Sequence, residues 1–314
     1  MALSRSSVRL LNDAISIYMD ECRAKGMAQN TLETKARSLS RFADWCKLSG
    51  YRKLSEFDIE VFESYREYLH FYRKTIDGQP LALNSIYKFL TDLKLLFKGL
   101  YKRGIISVTE IDKFDLPRCQ KRIPRDVLSV DEIQRILHQP DIRGGVYMVR
   151  DRAILELLYA SAVRRSELAK LELSDINITR KTLRIVNSKG YKDRVIPVYA
   201  EAIEWVSEYV QGDRMRVCSP GSGDLFFLDK VGKPATRDQI GQTVGRYVRR
   251  AGIDKPGACH LFRHRVATLM LENGADIRFI QHFLGHADIS TTQIYTHVAI
   301  RKLEEVYNKS HPAI

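Results

Sequence analysis

The chain has 314 residues, long for one domain and comfortable for two, and its 44% hydrophobic content is enough to build a core. A formal net charge of +13 favours a polyanionic partner, because binding releases that partner's condensed counterions. No stretch reaches the ~20 apolar residues a membrane span requires. The N-terminus shows no apolar signal segment, and the five cysteines (Cys22, Cys46, Cys119, Cys218, Cys259) form no C-x-x-C pair. This argues against a membrane protein, a disulfide framework and a zinc site, and predicts a cytoplasmic protein.

The first hundred residues read as helices. Val8, Leu11, Ala14, Ile15 and Tyr18 recur at helical spacing, and so do Leu32, Ala36, Leu39, Phe42 and Trp45, with Asn30 or Thr31 as the expected cap. Ser55-Glu56-Phe57-Asp58 opens a third helix carrying Ile59, Phe62, Tyr65 and Leu69. After a turn at Asp77-Gly78-Gln79-Pro80, a fourth carries Ile86, Phe89, Leu90, Leu93, Leu96 and Leu100 and stops near Gly104. Four helices without strands make a small bundle. Lys35, Arg37, Arg41, Lys47, Lys88, Lys94, Lys98, Lys102 and Arg103 lie between the apolar positions, where such charges ordinarily form a solvated helix face; their skew towards Lys and Arg makes a phosphate-facing surface the second reading.

Residues 117–125 carry two prolines and a run of basic side chains, which suits a linker. Ser129-Val130-Asp131-Glu132 reads as a capping box. Beyond it the pattern mixes elements. A helix is expected over 151–171, strands over 182–186 and 194–198, and a third short strand over 225–228. Helices follow from Thr236, broken near Gly252, Gly274 and Gly285.

The chemistry concentrates late in the chain. His260-Leu261-Phe262-Arg263-His264 is followed by Leu284-Gly285-His286 and by Thr292-Gln293-Ile294-Tyr295, with Arg164 and Lys189 upstream. Two guanidiniums, two imidazoles, an amine and a phenol suit an anionic phosphorus centre attacked by a tyrosine. Arginine offers a fork to two non-bridging oxygens and does not deprotonate. His260 and Arg263, three apart, share a helix face. The His260/His264 pair invites a metal, yet no acidic or cysteine ligand completes a set, so neither a metal nor a cofactor is expected.

In this order and with these separations, the segments resemble the catalytic domain of tyrosine recombinases, the phage integrase family, with the closest likeness to small bacterial Xer-like members. The resemblance implies an all-α, SAM-like four-helix core-binding domain over 1–116 and a basic linker over 117–127. Over 128–314 it implies a mixed α+β catalytic domain with a small antiparallel sheet and a C-terminal tail helix. It assigns Arg164 and Arg263 to clamping the phosphate, and Lys189 as general acid for the 5′ leaving group. His260 handles protons, His286 donates to the phosphate, Tyr295 is the nucleophile of a 3′-phosphotyrosyl intermediate, and Glu167 braces the site. The implied partners are duplex DNA bearing a specific site and further copies, or a related recombinase, in a tetrameric synapse linked by exchange of residues 301–307. The implied activity is site-specific recombination through a Holliday junction, in integration or excision of a mobile element or in dimer resolution. Relaxation by a type IB topoisomerase-like enzyme and a non-catalytic DNA-binding protein are the alternatives. The chain departs from the family pattern at Ala162, where glycine is common, and at Arg265, where a small hydroxyl residue is usual. The doubled Arg164-Arg165 is resolved in favour of Arg164 by counting from Glu167-Leu168.

Overall fold

Apolar residues at three-to-four spacing drive the first helices together. The computed structural model describes residues 10–72, 74, 78–107, 110–117, 127–186 and 193–285. The chain divides into two compact units, Met1–Lys121 and Arg122–Ile314. In the first, helices α1 (Leu11–Ala24), α2 (Gln29–Ser49), α3 (Ile59–Phe71) and α4 (Leu83–Lys102) bury one stripe each. Aromatic rings fill the centre: Phe42 packs edge-on against Tyr65 at 4.8 Å, and Phe62 against Phe97 at 4.9 Å. Asp58 starts α3 by accepting the Val61 N–H at 3.0 Å. The expected cap of α2 is wrong: Ala28 stands at that position with no side-chain acceptor, and Asn30 and Thr31 lie inside the helix.

The stripe of α2 also differs. Ala36 is exposed, and Lys35 takes the inward place. Its ammonium is 2.9 Å from the Asp92 carboxylate, which also accepts from Lys88 at 2.7 Å. Several other lysines and arginines expected to face phosphate also have partners within the first unit, at or near its surface. Lys98 pairs with Asp112 and Arg103 with Glu21. Lys94 donates to the Phe114 carbonyl, and Arg41 stacks on Tyr72. Arg37, Lys47 and Lys102 are exposed.

The second unit opens with α5 (Val130–Leu137), where Ser129 and Glu132 form the expected reciprocal cap at 3.1 and 2.7 Å. A short α6 (Gln139–Arg143) leads to α7 (Met148–Ser161), buried nearly all round by the surrounding elements. The expected continuous helix over 151–171 is broken. Ala162 turns into the left-handed region (φ 48°), and a short α8 (Arg165–Leu168) follows. Strands β1 (Ile176–Asn177), β2 (Thr182–Ile185) and β3 (Arg194–Pro197) form an antiparallel sheet in the order β1-β2-β3, with Leu183 opposite Ile196 and Ile185 opposite Arg194. Residues 225–228 make only isolated bridges, Glu172 to Leu225 and Leu228 to Pro234, so β1 takes the place of the expected third strand. Helices α9 (Ala200–Tyr209), α10 (Met215–Val217), α11 (Arg237–Arg250), α12 (Cys259–Glu272) and α13 (Ile277–Leu284) complete the described part. Sequence patterning had not flagged α9.

Removing one partner of the buried Lys35–Asp92 pair leaves a desolvated charge, whereas removing both does not. Asp92→Ala should destabilise the N-terminal unit by about 3–5 kcal/mol, and Lys35→Met combined with Asp92→Leu should recover most of that loss. Calorimetric unfolding of the full chain measures both. An Asp92→Ala transition within a degree of wild type would contradict this account.

Candidate active site

Arg164 is placed by the break after α7. The left-handed Ala162 lets the chain leave the helix, and Arg164 sits extended (φ −72°, ψ 148°) as the N-cap of α8. Glu167 folds back over this turn. One of its oxygens accepts the Arg164 backbone N–H at 2.8 Å, and the other accepts Arg164 Nη1 at 2.8 Å. Arg165 points elsewhere. Its Nη1 lies 3.5 Å from Asp238 on α11, and it runs so close to Gly241 that a Cβ there would stand 2.7 Å from Nη1.

His260 and Arg263 come from the first turns of α12. The helix is entered through Ala258, whose positive φ of 39° with ψ −106° is an unusual conformation for a side chain-bearing residue. Arg263 is 4% exposed and donates from Nη1 to the Ala162 carbonyl at 2.7 Å, tying α12 to the same turn that presents Arg164. Arg265 departs from this cluster, its Nη1 approaching Glu272 at 3.5 Å on the same helix.

The C-terminus of α13 joins these parts. Its last carbonyls lack partners within the helix. The Phe283 carbonyl accepts Arg194 Nε at 3.0 Å, that of Leu284 accepts Arg263 Nη2 at 2.6 Å, and that of Gly285 accepts Arg164 Nη2 at 3.0 Å. Three guanidiniums thus hold three consecutive carbonyls, each from a different element. The chain leaves through Gly285 (φ 63°) directly into residue 286.

Of the residues expected from the sequence, Arg164, Glu167, His260 and Arg263 fall in this neighbourhood, whereas Lys189, His286 and Tyr295 lie outside the described residues, as do residues 301–307 and most of the basic linker. Arg194 was missed. The alternation of β3 carried the one available signal: Arg194 and Ile196 share a face, and an arginine on a core-facing position needs an acceptor.

The electrostatics favour an anion. Burial alone would raise the carboxyl of Glu167, but the Arg194 guanidinium, the Arg164 N–H and the Arg164 guanidinium outweigh it and hold the group below its ordinary range. The His260 imidazolium is disfavoured by desolvation and by Arg263, Arg165 and Arg164, which leaves a neutral ring at pH 7. Burial, with His260 and Arg263, pushes His264 down to about 4. Among the described residues, no three His, Cys, Asp or Glu side chains converge as a metal site.

The sign of these histidine shifts gives a pH dependence. An unfolded histidine takes up its proton near pH 6.5, and folded His264 does so only near 4. Its stabilising contribution is therefore complete above about 6.5 and is lost as the pH falls towards 4. His264→Gln should flatten the stability of the C-terminal unit across this window by up to about one proton's slope. Urea midpoints at successive pH values test this, and an unchanged slope would refute the assignment.

Comparison with known proteins places this geometry. Residues 126–302 match the phage integrase family, and residues 10–116 match the phage integrase SAM-like domain. The chain is 40% identical over 304 residues to tyrosine recombinase XerC 2 of Ralstonia nicotianae, covering 97% of this chain and 87% of that one. It is 33% identical over 288 residues to tyrosine recombinase XerD of Pseudomonas putida, covering 92% and 93%. Its fold is similar to that of the XerH site-specific recombinase bound to palindromic difH substrate (TM-score 0.69, 23% identity, 97% and 84% covered). A guanidinium-rich turn, a helix bearing His260 and Arg263, a SAM-like helical unit and these relatives lead to one conclusion: the chain belongs to the phage integrase family of tyrosine recombinases.

Proposed function

We propose that the chain is a site-specific DNA recombinase whose nucleophile is Tyr295. The observation that carries this reading is the convergence of Arg164 and Arg263 on the end of α13, with His260 one helical turn before Arg263; from there the chain runs into His286 and, nine residues later, Tyr295.

Arg164 and Arg263 present guanidiniums to the two non-bridging oxygens of a phosphodiester. They oppose the charge that grows as phosphorus becomes five-coordinate. The Tyr295 oxygen attacks phosphorus and the bond to the 5′ oxygen breaks. The phenol's proton passes towards His260, a neutral imidazole able to accept it, and Lys189 protonates the departing 5′ oxygen. His286 adds a hydrogen bond to the phosphate. The 3′-phosphotyrosyl bond conserves the energy of the broken linkage, and a 5′ hydroxyl from a second duplex reverses the step to give a Holliday junction. Neither ATP hydrolysis nor a metal enters this balance.

The working unit is a synapse of several copies on two duplexes, with residues 301–307 carrying the contact between neighbours. The surplus of basic residues, the relatives' activity and the absence of any described helix long and apolar enough to cross a membrane support action on DNA in the cytoplasm. Integration or excision of a mobile element and resolution of DNA dimers are the two settings this chemistry serves.

The full chain, incubated with a nicked duplex selected for tight binding from a random library, should form a protein–DNA adduct that survives denaturation. Tyr295→Phe should abolish it while binding persists. A persisting adduct would place the nucleophile elsewhere, and a wild-type chain that binds but never links would indicate a non-catalytic DNA-binding protein.

Lys189→Ala should slow cleavage by about 100-fold or more. A 5′-bridging sulfur should restore the rate, because a thiolate (thiol pKa about 8.5) leaves without an acid. A loss of equal size on both substrates would remove Lys189 from that role.

A further inference from the structure

Arg194 opens β3, and no step of the proposed chemistry uses it. It is nevertheless among the most deeply buried charged groups in the described chain, with its side chain 2% exposed. Its Nη2 and Nη1 reach the two oxygens of Glu167 at 2.8 and 3.2 Å, and its Nε donates to the Phe283 carbonyl at 3.0 Å. Gly285 lies directly against the guanidinium: a Cβ there would stand 2.6 Å from Nη1. Glu167 in turn holds both the backbone and the side chain of Arg164. The segment bearing Lys189 leads in sequence into Asp193 and Arg194.

Burying a guanidinium is expensive unless each of its edges is satisfied. The sheet itself does not require one, since Ile196, the next inward residue of β3, fills its place with aliphatic carbon. What an arginine supplies there is a planar fork that grips both oxygens of one carboxylate while a third N–H reaches a carbonyl on α13. A lysine's ammonium could also donate to several acceptors, but from a single point on a flexible stem and not from the edges of a rigid plane.

We infer that Arg194 is a positioning residue for recombination: by gripping Glu167 and the 283–285 turn together, it fixes the aim of Arg164 and the point from which the chain departs towards His286. The inference rests on the functional reading above. It makes Glu167 a relay. The carboxylate is held by Arg194 from behind and holds Arg164 from the front, so loosening the rear contact misaims a phosphate ligand without touching DNA.

The test compares wild type, Arg194→Lys, Glu167→Gln and the double variant, all as full-length protein on the selected nicked duplex. Arg194→Lys should bind DNA within about threefold of wild type, yet form the covalent adduct about 100-fold more slowly at saturating DNA, the loss typical of a misplaced catalytic group. Because both residues act on Arg164 through one relay, the double variant should be much less impaired than the product of the two single losses. An Arg194→Lys chain that cleaves at near wild-type rate, one that loses binding and cleavage in equal measure, or losses that simply multiply would each overturn the inference. If Arg194→Lys does not fold, Arg194→Gln with Glu167→Gln leaves no unpaired buried charge and should fold and cleave as slowly as Glu167→Gln. A wild-type rate in that variant overturns the inference too. A wild-type chain that forms no adduct would instead refute the functional reading itself.

Discussion

Three consecutive carbonyls at the end of α13 carry the site. A helix C-terminus bears unsatisfied acceptors and the negative end of its dipole, so it attracts cations. Here Arg194 arrives from β3, Arg263 from α12 and Arg164 from the turn after α7, each taking one carbonyl. Four separately formed elements therefore meet at a single stretch of backbone. Arg194 and Arg263 are nearly inaccessible to water, so the hydrogen bonds that offset their desolvation also fix their geometry. A donor set fixed before substrate arrives needs little reorganisation as charge develops on a phosphate.

The charge balance explains why the arrangement suits an anion without collapsing on itself. Glu167 is the carboxylate between two of the guanidiniums, and they hold it ionised despite its burial. One negative charge against three positive ones keeps the cluster together and leaves it cationic. Burial first, and then the Arg263, Arg165 and Arg164 guanidiniums, disfavour the His260 imidazolium. The bend at Ala162 serves both sides of the cluster. Its left-handed backbone turns the chain towards Arg164, and its carbonyl anchors Arg263. Glycine would adopt that backbone at lower cost, but the Ala162 methyl is fully buried against Val266, Ala267, Ile280 and Leu284. Packing offsets the conformational strain of an alanine in this left-handed backbone.

Much of this was legible in the sequence because helical periodicity and the spacing of His260, Arg263, His286 and Tyr295 are local signals. The bundle, the capping box at Ser129, the helix start at Thr236 and the β2–β3 pair follow from such patterns. What stayed hidden depends on contacts distant in sequence. Lys35 looks like a surface lysine until Asp92 meets it 57 residues later. Arg194 looks like a strand residue until Glu167 and Phe283 surround it. Strand β1 has two residues, too few for any alternation to register, whereas the apolar run 225–228 is buried without extended strand pairing. The break at Ala162 escaped periodicity because apolar residues continue through it. Of the expected site, Lys189, His286 and Tyr295 rest on sequence and resemblance alone.

The most direct measurement is made in cells producing the chain. Lysis in denaturant, recovery of the protein and sequencing of the DNA still attached would reveal where it cuts and by which end it holds the strand. The account predicts DNA ends clustered at one or a few discrete sites, linked through their 3′ phosphates to the peptide containing Tyr295. Linkage through 5′ phosphates, attachment to another residue, or no attached DNA above that found with Tyr295→Phe would contradict it.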